Sequence, residues 1–136
     1  MNWQITSPFD RIALIAVGGA LGAVARYTLG VWITARFGSS ELPIATIAIN
    51  IGGSFCLGLL LGVIASSLST SPVAETLRFA IGVGFLGAFT TFSAFENETW
   101  ELLRLGSAFS ALLNVAISVV GGLIAVAFGI LCGRGL

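Results

Sequence analysis

Histidine and lysine are both absent from the 136 residues, and only 9% of the chain is charged. Without histidine, the commonest general base, proton shuttle and metal ligand is missing. An intramembrane hydrolase would need another base, and the acids supply no evident dyad, so no enzyme is expected. The two cysteines, Cys56 and Cys132, lie far apart in different apolar segments and form no CxxC pair. They read as small apolar residues rather than redox or metal sites. Six arginines against six acids leave no net charge, and no nucleic-acid partner is expected.

Apolar residues fill the space, at 57% of the chain, where a soluble domain has roughly half. Four apolar stretches, residues 12–33, 43–68, 77–103 and 107–131, each reach the ~20 residues that a spanning helix needs. The connections "RFGSSEL", "SSLSTSPVAET" and "LRLG" are short and rich in Gly, Ser and Pro, which suits turns rather than a further domain. The pattern predicts an all-α integral membrane protein, a single four-helix transmembrane domain over 1–136, whose function lies in the bilayer. Arg11 followed by an apolar run ending in "GAVAR" also fits a cleaved signal peptide. That reading is weakened because the run continues past Arg26 to Ile33.

With four spans, Arg11, Arg78 and Arg134 fall on one side of the membrane and Arg36 and Arg104 on the other. Positive charge beside helix ends normally sets orientation. Three against two is almost no bias, so the chain is expected to be able to insert both ways, unless other features decide the matter. Trp32 and Trp100 fall at helix ends on one side and Trp3 on the other, as interfacial anchors should.

Small and polar residues recur at a spacing of four. Gly18, Gly22, Arg26 and Gly30 do so in the first stretch, Thr46, Asn50, Ser54, Gly58 and Gly62 in the second, and Ser110, Asn114, Ser118 and Gly122 in the fourth. On a helix each set forms a slowly winding stripe, and small residues let membrane helices approach closely. Asn50 and Asn114 ask for more, because an amide buried without partners costs about 2 kcal/mol. Each has either a paired partner or a wet path. Arg26 is the one cation well inside a span, a position that by default marks a pathway; its bland alternative is snorkelling toward the side of Arg36. It is read as structural or as part of a vestibule.

The third stretch contains "GFLGAFTTFSAFENETW". As a continuous helix its 27 residues would reach about 40 Å against a hydrocarbon core of about 30 Å. With Gly82, Gly84 and Gly87 ahead of Thr90 and Thr91, the spare length predicts a break near mid-membrane. Non-helical backbone at that depth must be buried in protein or line a cavity, where freed carbonyls can hold a cation and freed N–H groups can face an anion. Phe92 and Phe95 lie on adjoining faces, and the positive edges of their rings can line an anion path. Packing or lipid contact is the plainer use of such phenylalanines. "NET" at residues 97–99 fits a glycosylation sequon and is read as chance at a membrane boundary.

The segments "GGALGAVARY", "LPIATIAINIGGSFCLG", "GFLGAFTTFSAFENE" and "ALLNVAISVVGGL", in this order and over essentially the whole chain, resemble the small bacterial fluoride channels of the Fluc or CrcB family. The resemblance implies an antiparallel, dual-topology homodimer in the bacterial inner membrane, with two fluoride pores and a sodium ion at the dimer centre. It implies passive fluoride export and hence fluoride resistance. By position Phe92 and Phe95 look like the pore phenylalanines, and Asn50 like the pore asparagine with Thr46 one turn before it. Ser118 looks like a pore-lining hydroxyl and Glu98 like an acid of the polar track. The carbonyls of Gly87 and Thr90 would be the sodium ligands, and Arg26 matches the family's first-helix arginine. The chain departs from the family pattern at Ala45, Ala94, Asn114 and Gly122, where glycine, threonine, tyrosine and serine occur in relatives. A small dual-topology, proton-coupled exporter of the multidrug kind is the alternative, although such carriers are expected to hold a carboxylate inside a span and the first two spans have none. A structural membrane subunit is a third reading.

Overall fold

The structure is a computed structural model that describes residues 7–38, 40–69 and 71–136. Three of its spans are continuous helices: α1 (Pro8–Phe37), α2 (Ile44–Ser66) and α6 (Ala108–Arg134). The remaining span, Val73–Arg104, is assembled from pieces. It begins as α3 (Val73–Leu77), widens into a π-helical segment over Arg78–Leu86, continues as the single turn α4 (Gly87–Phe89), and resumes after Thr90 and Thr91 as α5 (Phe92–Arg104). All four spans are long and apolar enough to cross a membrane.

Local chemistry sets the ends. The Ser7 hydroxyl accepts from the Phe9 N–H at 3.2 Å, with Pro8 at the first helical position and Asp10 in the first turn. This arrangement satisfies an orphan N–H and complements the helix dipole. Gly38 (φ 73°) closes α1 and Gly106 (φ 81°) makes the tight turn into α6, both in the left-handed region that favours glycine. In the first loop Glu41 Oε1 accepts from the Ser110 hydroxyl at 2.8 Å. The Ser107 and Ser110 hydroxyls hold the Glu41 carboxyl below its ordinary range, and the acid pins that loop to the start of α6. At the opposite end Arg11 forms an ion pair with Glu75 at 2.5 Å and stands 5.2 Å above the Phe79 ring, which ties the start of α1 to the start of the third span.

The spans meet backbone to backbone through glycine. A Cβ on Gly58 would overlap the Val126 carbonyl, and one on Gly129 or Gly133 would overlap the carbonyls of Phe55 or Leu59. Thus α2 and α6 interlock through Gly58, Gly62, Gly129 and Gly133. In the same way Gly18 and Gly22 of α1 lie against the carbonyls of Ala80 and Phe85, and Gly84 faces the Ile15 carbonyl. Such close approach is how apolar helices gain contact where lipid offers no hydrophobic driving force. Gly129→Val is expected to destabilise the protein by about 3 kcal/mol or more, since the colliding atoms are backbone and cannot rotate away. Thermal unfolding in detergent measures this, and an unchanged midpoint would refute the interlock.

Outward faces carry Leu21, Val24, Leu112, Val120, Leu123 and Phe128, all exposed and apolar, as a lipid-facing surface requires. Trp32 and Trp100 are exposed near the ends of the first and third spans. Trp3 lies outside the described residues.

Candidate functional site

The interruption of the third span has an identifiable construction. Thr90 closes the helix above it, with both its N–H and its hydroxyl donating to the Leu86 carbonyl at 3.0 Å. Thr90 and Thr91 then adopt extended backbone, with ψ 158° and 117°. Thr91 opens the helix below, its hydroxyl accepting from the Ala94 N–H at 3.3 Å. Between the two, Asn50 on α2 holds the Thr91 peptide from both sides. Its Oδ1 accepts from the Thr91 N–H at 2.8 Å and its Nδ2 donates to the Thr91 carbonyl at 3.0 Å. An isolated extended residue could not keep its polar groups paired in hydrocarbon; the asparagine replaces the helical partners it gave up. The alternative of a paired partner is therefore realised for Asn50, and an amide with two N–H groups still has one to offer.

The same interruption frees other groups. Arg26 on α1 donates from Nε to the Ala88 carbonyl at 3.1 Å, so its reach is across to the broken span. The carbonyls of Gly87 and Thr90 accept no hydrogen bond among the described residues. Glycines are less central than sequence composition suggests. Gly82 lies within the π-helical segment, Gly84 serves contact with α1, and a Cβ on Gly87 would meet nothing nearer than 3.8 Å. The threonine pair and Asn50 make the break.

A cleft of about 300 Å³ opens beside it, lined by Asn50, Ser54, Gly87, Thr90, Phe92, Phe95 and Ser118 among others. Six of the candidate residues thus come together: Asn50, Phe92, Phe95, Ser118, Gly87 and Thr90. The Phe92 and Phe95 rings stand 5.7 Å apart, tilted by 43°. Phe92 is 70% exposed, so one wall of the cleft is open in the single chain.

Thr46 and Glu98 sit elsewhere. The buried Thr46 hydroxyl donates to Glu98 Oε1 at 2.7 Å, and both border a smaller hollow of about 160 Å³ under the first loop. Glu98 Oε2 is buried with no hydrogen-bond partner among the described residues. Asn114 does not reach the cleft; it is fully buried between α5 and α6 and donates to the Thr99 hydroxyl at 2.8 Å. Sequence reasoning passed over Thr91 as a partner of Asn50, and Thr99, whose hydroxyl donates to the Phe95 carbonyl at 2.7 Å. The signal for Thr99 was its position four residues beyond Phe95, where a back-bond of this kind is possible.

Arg26 has a measurable consequence. Removing the guanidinium leaves the Ala88 carbonyl without its donor, and a hydrogen bond to a charged group contributes roughly 1.5–3 kcal/mol. Arg26→Leu is expected to lower the unfolding midpoint correspondingly. An unaltered midpoint would return Arg26 to a purely interfacial role.

The family model described as CrcB-like protein, Camphor Resistance (CrcB), matches residues 13–130. The fluoride-specific ion channel FluC of Acidobacterium capsulatum is 45% identical over 120 residues, covering 88% of this chain and 93% of that protein. The protein of the same name from Solibacter usitatus is 45% identical over 121 residues, with 89% and 96% covered. That of Citrifermentans bemidjiense is 42% identical over 127 residues, with 93% and 99% covered. Matched by the family model over residues 13–130 and 42–45% identical to these three relatives over most of both lengths, the chain belongs to the CrcB family.

Proposed function

We propose that this protein is a fluoride-selective channel, not an enzyme, that passively releases fluoride across a bacterial inner membrane. The observation that carries the reading is the cleft in which Asn50, Phe92, Phe95 and Ser118 converge beside the broken span. Fluoride is small and strongly hydrated, so a narrow path must replace its water with oriented donors. This cleft can offer the second N–H of Asn50, the Ser118 hydroxyl and the positive edges of two tilted rings. Among the described residues no arginine lines it. Hydrogen fluoride crosses membranes as a neutral weak acid and dissociates in a less acidic interior, which traps the anion. A passive pore is sufficient to let it out, and the exporter alternative gains no support from the relatives.

The functional unit we infer is an antiparallel, dual-topology homodimer. It accounts for the near-even arginine distribution and for the exposure of Phe92, which a second copy would cover. Antiparallel pairing would also supply between two chains the inverted repeat that larger transporters hold within one. The Gly87 and Thr90 carbonyls fit a structural sodium ion at the dimer centre, because they are hard oxygen donors released at the break and free of hydrogen bonds among the described residues. When bound, the ion would be held by the Gly87 and Thr90 carbonyl oxygens and would supply positive charge beside the break. The chain's own part is to hold those oxygens apart from the helix, through Asn50 on the Thr91 peptide and Thr90 on Leu86.

The test is efflux from liposomes. Purified protein should release trapped fluoride without a proton gradient and retain chloride, and labelling of an engineered terminal cysteine should find copies facing both ways. Flux that requires a proton gradient would move the assignment to a coupled transporter. Uniform orientation with vesicles tight to fluoride would end the proposal.

A further inference from the structure

Behind the cleft runs a chain of side-chain hydrogen bonds whose direction can be settled atom by atom. The Phe95 carbonyl can only accept, so the single hydroxyl hydrogen of Thr99, 2.7 Å away, is committed to it. Thr99 therefore offers only a lone pair to Asn114, and the contact at 2.8 Å must be a donation from the amide nitrogen. That fixes the amide: Oδ1 points the other way, toward Ser118. An amide oxygen only accepts, so the Ser118 hydroxyl, 3.4 Å distant, turns its hydrogen to Asn114 and shows its lone pairs to the cleft it lines.

From this order we infer that Asn114 and Thr99 are positioning residues that regulate how strongly Ser118 binds the anion. The inference rests on the fluoride-channel reading and deepens it. Ser118 is a rotor with two competing acceptors, Asn114 Oδ1 and an anion in the cleft. Each passing fluoride must take the hydrogen from Oδ1 and return it on leaving. The bond it breaks is the longest of the three, at 3.4 Å well beyond the usual ~2.5–3.0 Å for O–H···O, so the exchange is easy and reversible. Asn114 is fully buried, which keeps water from disturbing the order. The relay also joins the two kinds of anion contact, since it starts at the backbone of Phe95 and ends at the hydroxyl of Ser118. Binding is thus weakened at one named group, in the manner that conduction requires.

Thr99→Val tests this, because valine preserves the shape and removes only the hydroxyl. Without that lone pair the Asn114 amide keeps one bond to Ser118 whichever way it faces, so its orientation is no longer fixed, and in the turned orientation the Ser118 hydrogen is free for the ion. The fluoride concentration giving half-maximal flux should fall by about twofold to threefold, the low end of the range for one hydrogen bond, as suits a bond this long. Asn114→Ala, which removes the competing acceptor while leaving Thr99 on Phe95, should shift it in the same direction. In a Ser118→Ala background neither change should move half-saturation further. Half-saturation unmoved by both variants, an equal shift with and without the Ser118 hydroxyl, or loss of the folded protein in both variants would overturn the relay and leave a structural network. Wild-type vesicles that pass no fluoride would instead overturn the channel reading, and this inference with it.

Discussion

Phe92→Ile should stop most fluoride efflux while leaving the fold almost untouched. The two halves of this expectation have separate causes. Phe92 is 70% exposed in the single chain, and isoleucine keeps apolar bulk for the face that a second copy would cover, so the change removes little packing. Its thermal midpoint should stay near that of the wild type. Its function is different, because isoleucine has bulk without a quadrupole and offers a dehydrated anion no positive edge. A cation over the ring face in a desolvated site gains about 2 kcal/mol, and that figure sets the scale for the opposite charge at the opposite pole of the quadrupole. At 1.4 kcal/mol per tenfold, that loss slows passage by about 30-fold. Phe95→Ile should act in the same sense, since the rings stand 5.7 Å apart and face one cleft. Undiminished efflux from Phe92→Ile liposomes would mean that the rings serve packing or lipid contact, the plainer use open to them from sequence.

The contrast between these phenylalanines and their neighbours separates what the order of residues dictates from what only tertiary packing decides. Four apolar stretches separated by short Gly, Ser and Pro connections determine four spans, because hydrocarbon permits little else. Spare length and a threonine pair locate the break. Partner choice is not legible. Asn50 and Thr91 are 41 residues apart, and nothing in either segment says that an amide on one will replace helical bonds lost on the other. Polar stripes at a spacing of four mark the helix faces correctly for Gly58 and Gly62, yet miss Gly129 and Gly133, where α6 carries half of the interlock. A step of four overshoots a helical turn by about 40°. Past Gly122 the spacing of four meets Val126 and Ile130 rather than a small residue, whereas a step of seven, about 20° short of two full turns, reaches Gly129 on the face of Gly122. The π-helical segment leaves no trace in composition. Arg26 is legible as unusual, but whether it snorkels or reaches a freed carbonyl depends on where the third span breaks relative to α1, which is a tertiary fact.

Asn50 is where fold and passage are hardest to separate, and two substitutions separate them. Asn50→Leu removes both bonds to the Thr91 peptide at once. An N–H and a carbonyl are left unpaired within the membrane, each at about 1–3 kcal/mol, and the total is a large share of the roughly 5–15 kcal/mol that holds a small domain together. This variant should be recovered poorly or unfold far below the wild-type midpoint. Asn50→Asp keeps an oxygen for the Thr91 N–H and loses only the donor to the Thr91 carbonyl. It should fold with a midpoint lowered by more than the cost of one bond, because a carboxylate oxygen then faces the Thr91 carbonyl where an N–H had donated. Its flux should nevertheless be abolished, because a carboxylate places negative charge in the cleft and surrenders the N–H groups an anion needs. A folded, silent Asn50→Asp beside an unstable Asn50→Leu is the pattern expected if one amide both staples the break and serves the ion. An Asn50→Leu protein with wild-type stability and flux would remove the residue from both roles, and an Asn50→Asp protein that conducts normally would leave it only the first.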